Sequence, residues 1–233
     1  MTMPSVLITG ANRGLGLEFC KQYGEQGWRI FACCRQPATA TALQTLAAQY
    51  PNLSIHKLDV ADFQQIDQLA AQLSLEPIDV LLSNAGVYGD KNGNGFGQID
   101  YQTWQHTLQI NTIAPVKLAE AFLPHLLKSE RRQLVAISTL MASMADNGSG
   151  GSIFYRSSKA GLNAAMKSLA IDLQAEKISV LILHPGWVKT DMGGNEAPTL
   201  PEESISGMRK VIDEFTLENS GTFLNFKGQI QPW

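Results

Sequence analysis

Tyr155 and Lys159 form a pair whose residue types and spacing could carry out proton chemistry. Residues four apart lie on the same face of a helix, so the ammonium of Lys159 can sit beside the phenol of Tyr155. A free tyrosine has a pKa near ~10, whereas a fixed cation nearby favours the phenolate and lowers that pKa. A tyrosine tuned in this way can exchange a proton with an alcohol or a carbonyl oxygen. Such pairs also arise by chance in many helices, so the meaning of this one depends on the motifs around it.

A glycine-rich turn near the N-terminus, TGANRGLG at residues 9–16, would supply the second half of the chemistry. The turn follows an apolar run and precedes a helical pattern. Its glycines let the backbone approach a pyrophosphate, and the next helix offers free N–H groups and a partial positive charge. A simple glycine-rich turn is the alternative interpretation. We predict a dinucleotide site here, with the candidate residues Gly10, Asn12, Arg13, Gly14, Leu15 and Gly16.

The overall composition is typical of a globular protein with one substantial core. The chain has 233 residues, of which 44% are hydrophobic and 17% charged, and its net charge is −3. We therefore expect a single domain over residues 1–233, with neither a nucleic acid nor an anionic membrane as partner. No apolar run reaches the ~20 residues that span a bilayer, and no signal peptide is evident.

The three cysteines, Cys20, Cys33 and Cys34, fit neither a disulfide framework nor a zinc site. Cys33 and Cys34 lie in an apolar run, where we interpret them as buried small hydrophobic residues. The four histidines show no ligand spacing, so we expect no metal. These features fit the reducing cytoplasm.

Short β-branched runs alternate with longer helical patterns along the chain. The predicted strands are residues 6–8, 29–34, 53–58, 78–83, 134–138 and 179–184, with a seventh near 222–224. The predicted helices are residues 14–26, 38–49, 62–73 with Asp62 as N-cap, 101–128 with Pro115 and Pro124 inside, and 152–174. Strands separated by helices indicate βαβ units, and continuous apolar strands indicate burial on both faces. We predict an α/β fold, a single doubly wound parallel sheet of about seven strands with helices on both faces.

Further motifs accompany the glycine turn and the Tyr155/Lys159 pair. They are Leu58-Asp59-Val60, Ser83-Asn84-Ala85-Gly86, Asn111 and His184-Pro185-Gly186. With these motifs, the chain resembles the short-chain dehydrogenase/reductase family from about residue 5 to residue 190. Within it, the chain is similar to the branch of sniffer, C-factor and carbonyl reductases, and the ending GQIQPW is similar to C-factor-like members. The resemblance implies a Rossmann fold and an oxidoreductase that interconverts a carbonyl and an alcohol by hydride transfer.

The resemblance also implies a catalytic set of Asn111, Tyr155, Lys159 and one hydroxyl. Tyr155 would be the general acid in reduction and the base in oxidation. Lys159 would lower the pKa of the phenol and bind the ribose hydroxyls of the nicotinamide nucleotide. The backbone carbonyl of Asn111 would hold a water that links the lysine to solvent. An asparagine on the helix surface is the alternative, and asparagine has a poor helix propensity.

The hydroxyl position departs from the family pattern, because related enzymes usually carry Ser-Ser where this chain has Ser138-Thr139. By alignment, Thr139 would polarise the substrate oxygen. A threonine keeps one donor and two lone pairs, although its methyl group stiffens χ1 and narrows the pocket. Ser138 should point to the opposite face of a strand. We favour Thr139 and keep Ser138 as the alternative.

The residues after the second predicted strand favour NADP(H) over NAD(H). Family members that use NAD usually place an acidic residue there, whereas this chain has Cys34 followed by Arg35. Cys34 brings no charge that would repel a 2′-phosphate. Arg35 can form a charge-assisted bond to that phosphate, with Arg13 on its other side. Two solvated surface arginines are the alternative.

The family motifs imply further cofactor contacts. Those near the adenine and the ribose would be Asp59, Val60, Asn84, Ala85 and Gly86, and those around the nicotinamide and phosphates would be Pro185, Gly186, Val188, Thr190 and Met192. A loop over about residues 190–210 would shape the substrate site, with residues 193–207 as a flexible lid. Candidate pocket residues are Tyr88, Ser143, Met144 and Trp187, with a position in the core as an equal alternative for Trp187.

The expected substrate is a small molecule with a carbonyl or a secondary alcohol. In the family, the helices that carry Asn111 and Tyr155 commonly form dimer contacts, which implies a homodimer or a homotetramer. Two other functions stay open. One is a nucleotide-binding regulatory or signalling protein of the C-factor type with weak or incidental catalysis. The other is a redox-neutral reaction, such as epimerisation, on the same scaffold.

Overall fold

The computed structural model describes residues 3–90 and 95–233. The strands in these ranges are β1 Ser5–Thr9, β2 Arg29–Cys34, β3 Leu53–Lys57, β4 Val80–Ser83, β5 Gln133–Ile137, β6 Ser179–His184 and β7 Thr222–Asn225. They form one parallel sheet of seven strands in the order β3-β2-β1-β4-β5-β6-β7. The order reverses between β1 and β4, as in a doubly wound sheet, which confirms the predicted fold class.

Helices cover both faces of this sheet. They are α1 Gly14–Glu25, α2 Thr41–Gln49, α3 Phe63–Gln72, α4 Tyr101–Leu108, α5 Ala114–Leu127, α6 Ile153–Asp172 and α7 Pro201–Glu214. Successive residues of a strand point to opposite faces, so each strand contributes to two apolar layers. Along β1, Val6 and Ile8 pack in the layer that contains α1 and α7, whereas Leu7 packs in the layer that contains α3, α5 and α6. The central strands β1, β4 and β5 are therefore buried at every residue, whereas the edge strand β3 is exposed at Ser54 and Lys57.

The helical region predicted over residues 101–128 is interrupted in the middle. After α4 ends, the backbone passes through a π-helical turn at Gln109–Ile113 before α5 begins. Pro115 has no N–H, so it cannot donate to the carbonyl of Asn111 in the ordinary α-helical pattern. The side chain of Asn111 is fully buried, so the alternative interpretation as a helix-surface asparagine is wrong.

The loop predicted over about residues 190–210 ends earlier than expected. Helix α7 begins at Pro201, and its residues Ser204, Ile205 and Met208 are buried. Proline is favoured at the first position of a helix, and the acidic pair that follows it stabilises the positive end of the helix dipole. The prediction of a flexible lid over residues 193–207 is therefore wrong from Pro201 onward. Within the described ranges, no helix is both long enough and apolar enough to cross a membrane.

Candidate active site

The glycine turn packs directly against the end of β4. A Cβ added to Gly16 would lie 2.2 Å from the carbonyl oxygen of Gly10 and 2.7 Å from the side-chain nitrogen of Asn84. Asn84 in turn donates hydrogen bonds to the carbonyl oxygens of Thr9, at 2.8 Å, and Gly10, at 3.3 Å. A side chain at residue 16 would therefore separate the turn from the strand. This packing brings the predicted residues Asn84 and Ala85 beside the turn.

The first turn of α1 is suited to an anionic ligand. Among the described residues, no side chain caps this helix at Arg13, so its first N–H groups can bind an anion. Gly14 is exposed with a φ of 53°, and a Cβ there would lie 3.7 Å from the side chain of Thr190. The bare glycine backbone and Thr190 thus face each other across a narrow gap. These residues fit the pyrophosphate of a dinucleotide.

The two arginines predicted at the 2′-phosphate have different surroundings. Arg13 forms an ion pair with Asp191, 2.8 Å between Nη1 and Oδ2, and both side chains are mostly exposed. Arg35 is exposed directly after β2, whereas Cys34 is buried. The pairing of Arg13 with Asp191 is not apparent from the sequence, because the two residues lie 178 positions apart.

The remaining predicted cofactor residues lie at the same edge of the sheet. Val60 and Val188 are buried, Asn12 is exposed, and Met192 is about half exposed. Asp59 accepts a hydrogen bond from the backbone N–H of Ala61 at 3.0 Å, which stabilises the turn after β3. This edge collects the carboxyl ends of the strands, where ligands of such sheets bind.

Gly186 lies two residues after the end of β6 and has a left-handed φ of 85°. A Cβ at this position would lie 2.9 Å from the ring of Phe226, so the turn after Pro185 leaves no room for a side chain. His184 is partly buried at the end of β6, and burial lowers its pKa to about 4. The imidazole is therefore neutral at physiological pH, which fits a structural role for His184.

Lys159 and Tyr155 lie on one face of α6, yet the lysine points to the main chain. Its Nζ donates a hydrogen bond to the carbonyl oxygen of Ile137 at 2.7 Å, and burial lowers the pKa of Lys159 to about 8. Burial raises the pKa of Tyr155 to about 12, although a hydrogen bond with the Thr139 side chain acts to lower it. Burial dominates the pKa of both side chains in this structure, so the lowering of the phenol pKa by Lys159 stays a prediction.

The adjacent hydroxyls of Ser138 and Thr139 have separate partners. Ser138 is buried and donates a hydrogen bond to Oδ1 of Asn163 at 2.6 Å. Thr139 begins a short 3-10 turn, accepts a hydrogen bond from the N–H of Met141 at 3.2 Å, and lies beside Tyr155. The hydroxyl near the phenol is therefore that of Thr139, whereas Ser138 is engaged in the core.

Asn111 connects the end of β4 with α6. Its Oδ1 accepts a hydrogen bond from the N–H of Val87 at 2.9 Å, and its Nδ2 donates to the carbonyl of Val87 at 2.8 Å and to Ser158 at 2.9 Å. A Cβ on Gly86 would lie 3.3 Å from Oδ1 of Asn111 and 3.5 Å from Nζ of Lys159. Asn111, Gly86 and Lys159 therefore converge at one point.

The four candidate pocket residues differ in their environments. The ring of Tyr88 packs 5.0 Å from the ring of Tyr155, and Met144 is 77% exposed. Trp187 is also exposed, and its Nε1 donates to the carbonyl of Gly193 at 2.7 Å, which closes the turn after β6. Ser143 is buried and donates to the carbonyl of Trp233 at 3.0 Å, so it supports the loop rather than lining a pocket.

One charged residue near Tyr155 was missing from the sequence-based prediction. The carboxylate of Asp90 accepts hydrogen bonds from the backbone N–H groups of Phe154 and Tyr155 at the start of α6. Asp90 lies in a polar, glycine-rich stretch that resembles an ordinary surface loop, so no local signal marks it.

Within the described ranges, no group of three or more His, Cys, Asp or Glu side chains could hold a metal ion.

Comparisons with known proteins agree with this geometry. A family model described as short chain dehydrogenase matches residues 4–201. The C-signal protein of Myxococcus xanthus is 40% identical over 164 residues, which cover 70% of this chain and 98% of that protein. The structure of the carbonyl reductase Sniffer of D. melanogaster matches with a TM-score of 0.93 and 34% identity, over 100% of both chains. An NADPH-bound carbonyl reductase from chicken fatty liver matches with a TM-score of 0.92 and 34% identity, also over 100% of both chains.

Proposed function

Because the chain belongs to the short-chain dehydrogenase family, we propose that it is an NADP(H)-dependent oxidoreductase that interconverts a carbonyl and an alcohol. The observation that carries this proposal is that Thr139 lies beside Tyr155 and that Lys159, on the same helix, lies close to Gly86. Gly86 follows Asn84, which is hydrogen-bonded to the glycine turn. A phenol, a second hydroxyl and a buried ammonium at the edge of a dinucleotide fold are suited to moving a proton to or from a carbonyl oxygen.

Each catalytic side chain has a role that its environment supports. The raised pKa of Tyr155 keeps the phenol protonated at neutral pH, so it can donate a proton when a carbonyl is reduced. Thr139 would donate a hydrogen bond to the substrate oxygen and orient it. Lys159, with a pKa of about 8, would bind ribose hydroxyls and stabilise the phenolate that proton donation leaves behind. Asn111 would hold the segment after β4 in place, and its backbone carbonyl would bind the water that links Lys159 to solvent.

The cofactor would lie along the carboxyl edge of the sheet. A bound nicotinamide would supply the hydride or accept it. The residues proposed to hold the dinucleotide are Gly10, Asn12, Arg13, Gly14, Leu15, Gly16, Arg35, Asp59, Val60, Asn84, Ala85, Gly86, Tyr155, Lys159, Pro185, Gly186, Val188, Thr190 and Met192. The N-terminus of α1 has no side-chain cap among the described residues, which supports this placement because its N–H groups can bind the pyrophosphate.

A preference for NADP(H) over NAD(H) is supported by Arg35, which is exposed where a 2′-phosphate would lie, and by the uncharged Cys34 before it. The NADPH bound in one of the similar structures supports the same choice. Arg35→Ala should weaken NADPH binding by about 10- to 100-fold and leave NADH binding nearly unchanged. Equal losses for both cofactors in titrations would contradict the preference.

We also propose that the chain acts as one domain, and as a homodimer or homotetramer in the cytoplasm. The continuous sheet supports one domain, and the three free, buried thiols fit a reducing compartment. Light scattering after size-exclusion chromatography would measure the mass of the assembly. A monomer at working concentration would contradict the oligomer.

The deciding experiment follows NADPH oxidation by absorbance against a panel of aldehydes, ketones and quinones. Wild-type protein should turn over at least one class, and Tyr155→Phe should abolish turnover while it keeps NADPH binding. The phenylalanine retains the ring and removes only the hydroxyl, so it isolates the proton step. Equal turnover in the variant would contradict the role of Tyr155, and failure to bind NADPH would contradict the cofactor assignment.

A second candidate function is a nucleotide-binding regulatory or signalling protein of the C-factor type. It is favoured by the similarity to C-signal, which covers 70% of this chain. The intact pair of Tyr155 and Lys159 favours catalysis instead. Tight NADPH binding without turnover across the panel would select the signalling function.

A further inference from the structure

The helix that carries Tyr155 is capped by a residue from a distant segment. Oδ1 of Asp90 accepts a hydrogen bond from the N–H of Phe154 at 3.1 Å, and Oδ2 accepts one from the N–H of Tyr155 at 2.8 Å. Phe154 and Tyr155 are the second and third residues of α6. Their N–H groups are the ones that an N-cap side chain normally satisfies. Asp90 therefore performs the capping role, 65 positions away from Tyr155.

The residue at the N-cap position does not perform that role itself. Ser152 has a left-handed backbone, with φ 47° and ψ 45°, and its side chain makes no capping bond to the described part of α6. Its hydroxyl instead forms a 2.6 Å hydrogen bond with the hydroxyl of Tyr88. Residues 88–90 thus contact the start of α6 at two points, through Tyr88 to Ser152 and through Asp90 to the helix N–H groups.

The other end of this short segment is also held. Asn111 forms two hydrogen bonds with the backbone of Val87. Gly89 lies so close to α4 that an added Cβ would be 2.3 Å from the hydroxyl oxygen of Thr107. The connection from the cofactor edge at Gly86 to the start of α6 is therefore constrained along its length. A change at its last residue, Asp90, should therefore alter the position of Tyr155, because the constrained segment cannot move to compensate.

We propose that Asp90 is a positioning residue that fixes the start of α6, and with it the phenol of Tyr155, relative to Thr139 and the cofactor. This inference rests on the proposed function. Its carboxylate also lies at the positive end of the dipole of α6, which strengthens both hydrogen bonds. In the described part of the chain, Asp90 forms hydrogen bonds with the backbone of Phe154 and Tyr155 and with no residue of the glycine turn. Its loss should therefore lower kcat while the affinity for NADPH stays the same.

The test compares Asp90→Ala, which removes the cap, with Asp90→Asn, which keeps an oxygen acceptor. Asp100→Ala is the matched control, because Oδ1 of Asp100 caps α4 in the same way, at 3.0 Å from the N of Gln102 and 3.2 Å from the N of Thr103. Three properties are measured for each protein. They are amide hydrogen exchange at Phe154 and Tyr155, the dissociation constant of NADPH, and kcat and KM for a substrate from the panel.

We expect Asp90→Ala to speed exchange at the two amides by about fivefold or more. Its kcat should fall by about 10- to 100-fold, because small misplacements of reacting groups are costly. NADPH affinity should be unchanged, Asp90→Asn should recover most of the lost kcat, and Asp100→Ala should keep the wild-type kcat.

Two results would overturn the role of Asp90 and leave the proposed function intact. One is an Asp90→Ala variant with faster amide exchange but the wild-type kcat. The other is an equal loss of kcat in Asp100→Ala, because that would reflect a general loss of stability. A wild-type protein that binds NADPH but reduces no compound of the panel would instead overturn the proposed function, and the positioning role with it.

Discussion

The ammonium of Lys159 donates its hydrogen bond to the carbonyl oxygen of Ile137, at 2.7 Å, on the last residue of β5. The side chain is only 5% exposed, and the contact is directed to the main chain rather than to a carboxylate. A neutral partner offsets only part of the cost of burying a charge, which explains why the pKa of Lys159 falls to about 8. Burial therefore destabilises the charged form of Lys159 in the folded protein.

Replacement of Lys159 should change how stability depends on pH. The folded pKa of about 8 lies below the ordinary value of 10.5, so the unfolded chain binds more protons between these values, and stability rises with pH in that window. From pH 7 to pH 9.5, the free energy of unfolding should gain about 2 kcal/mol from this group. Lys159→Met should lose this rise in denaturant titrations at the two pH values.

The exposed Lys167 lies on the same helix and provides a control. Lys167→Met should show the wild-type pH dependence. A Lys159→Met variant that still gains the wild-type increment between pH 7 and pH 9.5 would refute the assignment of the shift to Lys159.

Substitutions of Thr139 and of Ser138 should have different effects, the first on catalysis and the second on stability. Thr139→Val removes the hydroxyl beside Tyr155 and keeps the shape, so kcat should fall by about 100-fold, as when a preorganised donor is lost. Ser138→Ala removes the buried hydrogen bond to Asn163 and should cost about 1–3 kcal/mol of stability with kcat little changed. Steady-state kinetics and denaturant titrations measure both effects. The reverse pattern would assign catalysis to Ser138.

Gly16→Ala should damage the glycine turn through sterics alone. The added Cβ would lie 2.2 Å from the carbonyl oxygen of Gly10, so the backbone must move, at a cost of about 1–3 kcal/mol. NADPH affinity should fall because the N-terminus of α1 moves with the turn. Gly148→Ala is the control, since a Cβ there meets no described atom within 4 Å. Equal melting temperatures and NADPH affinities for the two variants would argue against close packing at Gly16.

The ion pair between Arg13 and Asp191 should weaken cofactor binding slightly. Exposed ion pairs contribute about 0.2–1 kcal/mol, so Asp191→Asn should barely change the melting temperature. The substitution frees Arg13 for a 2′-phosphate, and NADPH affinity should rise by up to about fivefold, with NADH affinity unchanged. The same substitution in an Arg13→Ala background should have no effect on NADPH affinity. Tighter binding in that background would show that Asp191 acts without Arg13.

Much of the fold follows from local patterns. The strand predicted at residues 179–184 has the same bounds in the structure. Such strands are recognisable because burial on both faces favours apolar residues along the whole strand. Asp62 is recognisable as an N-cap, since it accepts from Gln65 three residues later. The start of α7 was missed, although Pro201 and the following acidic residues are a helix signal, because the glycine- and proline-rich stretch before it resembles a longer loop.

The sequence by itself determined the alternation of strands and helices, the four-residue spacing of Tyr155 and Lys159, and the alternation that separates Ser138 from Thr139. These features depend on backbone periodicity, which acts between near neighbours. Only the tertiary structure decided that Lys159 binds a main-chain carbonyl, that Arg13 pairs with Asp191, and that Asp90 caps the helix of Tyr155. Such contacts join residues that are far apart in the chain, so the spacing of a motif does not predict them. The pKa shifts of Tyr155 and Lys159 are equally absent from the motif, because they arise when the surrounding fold excludes water.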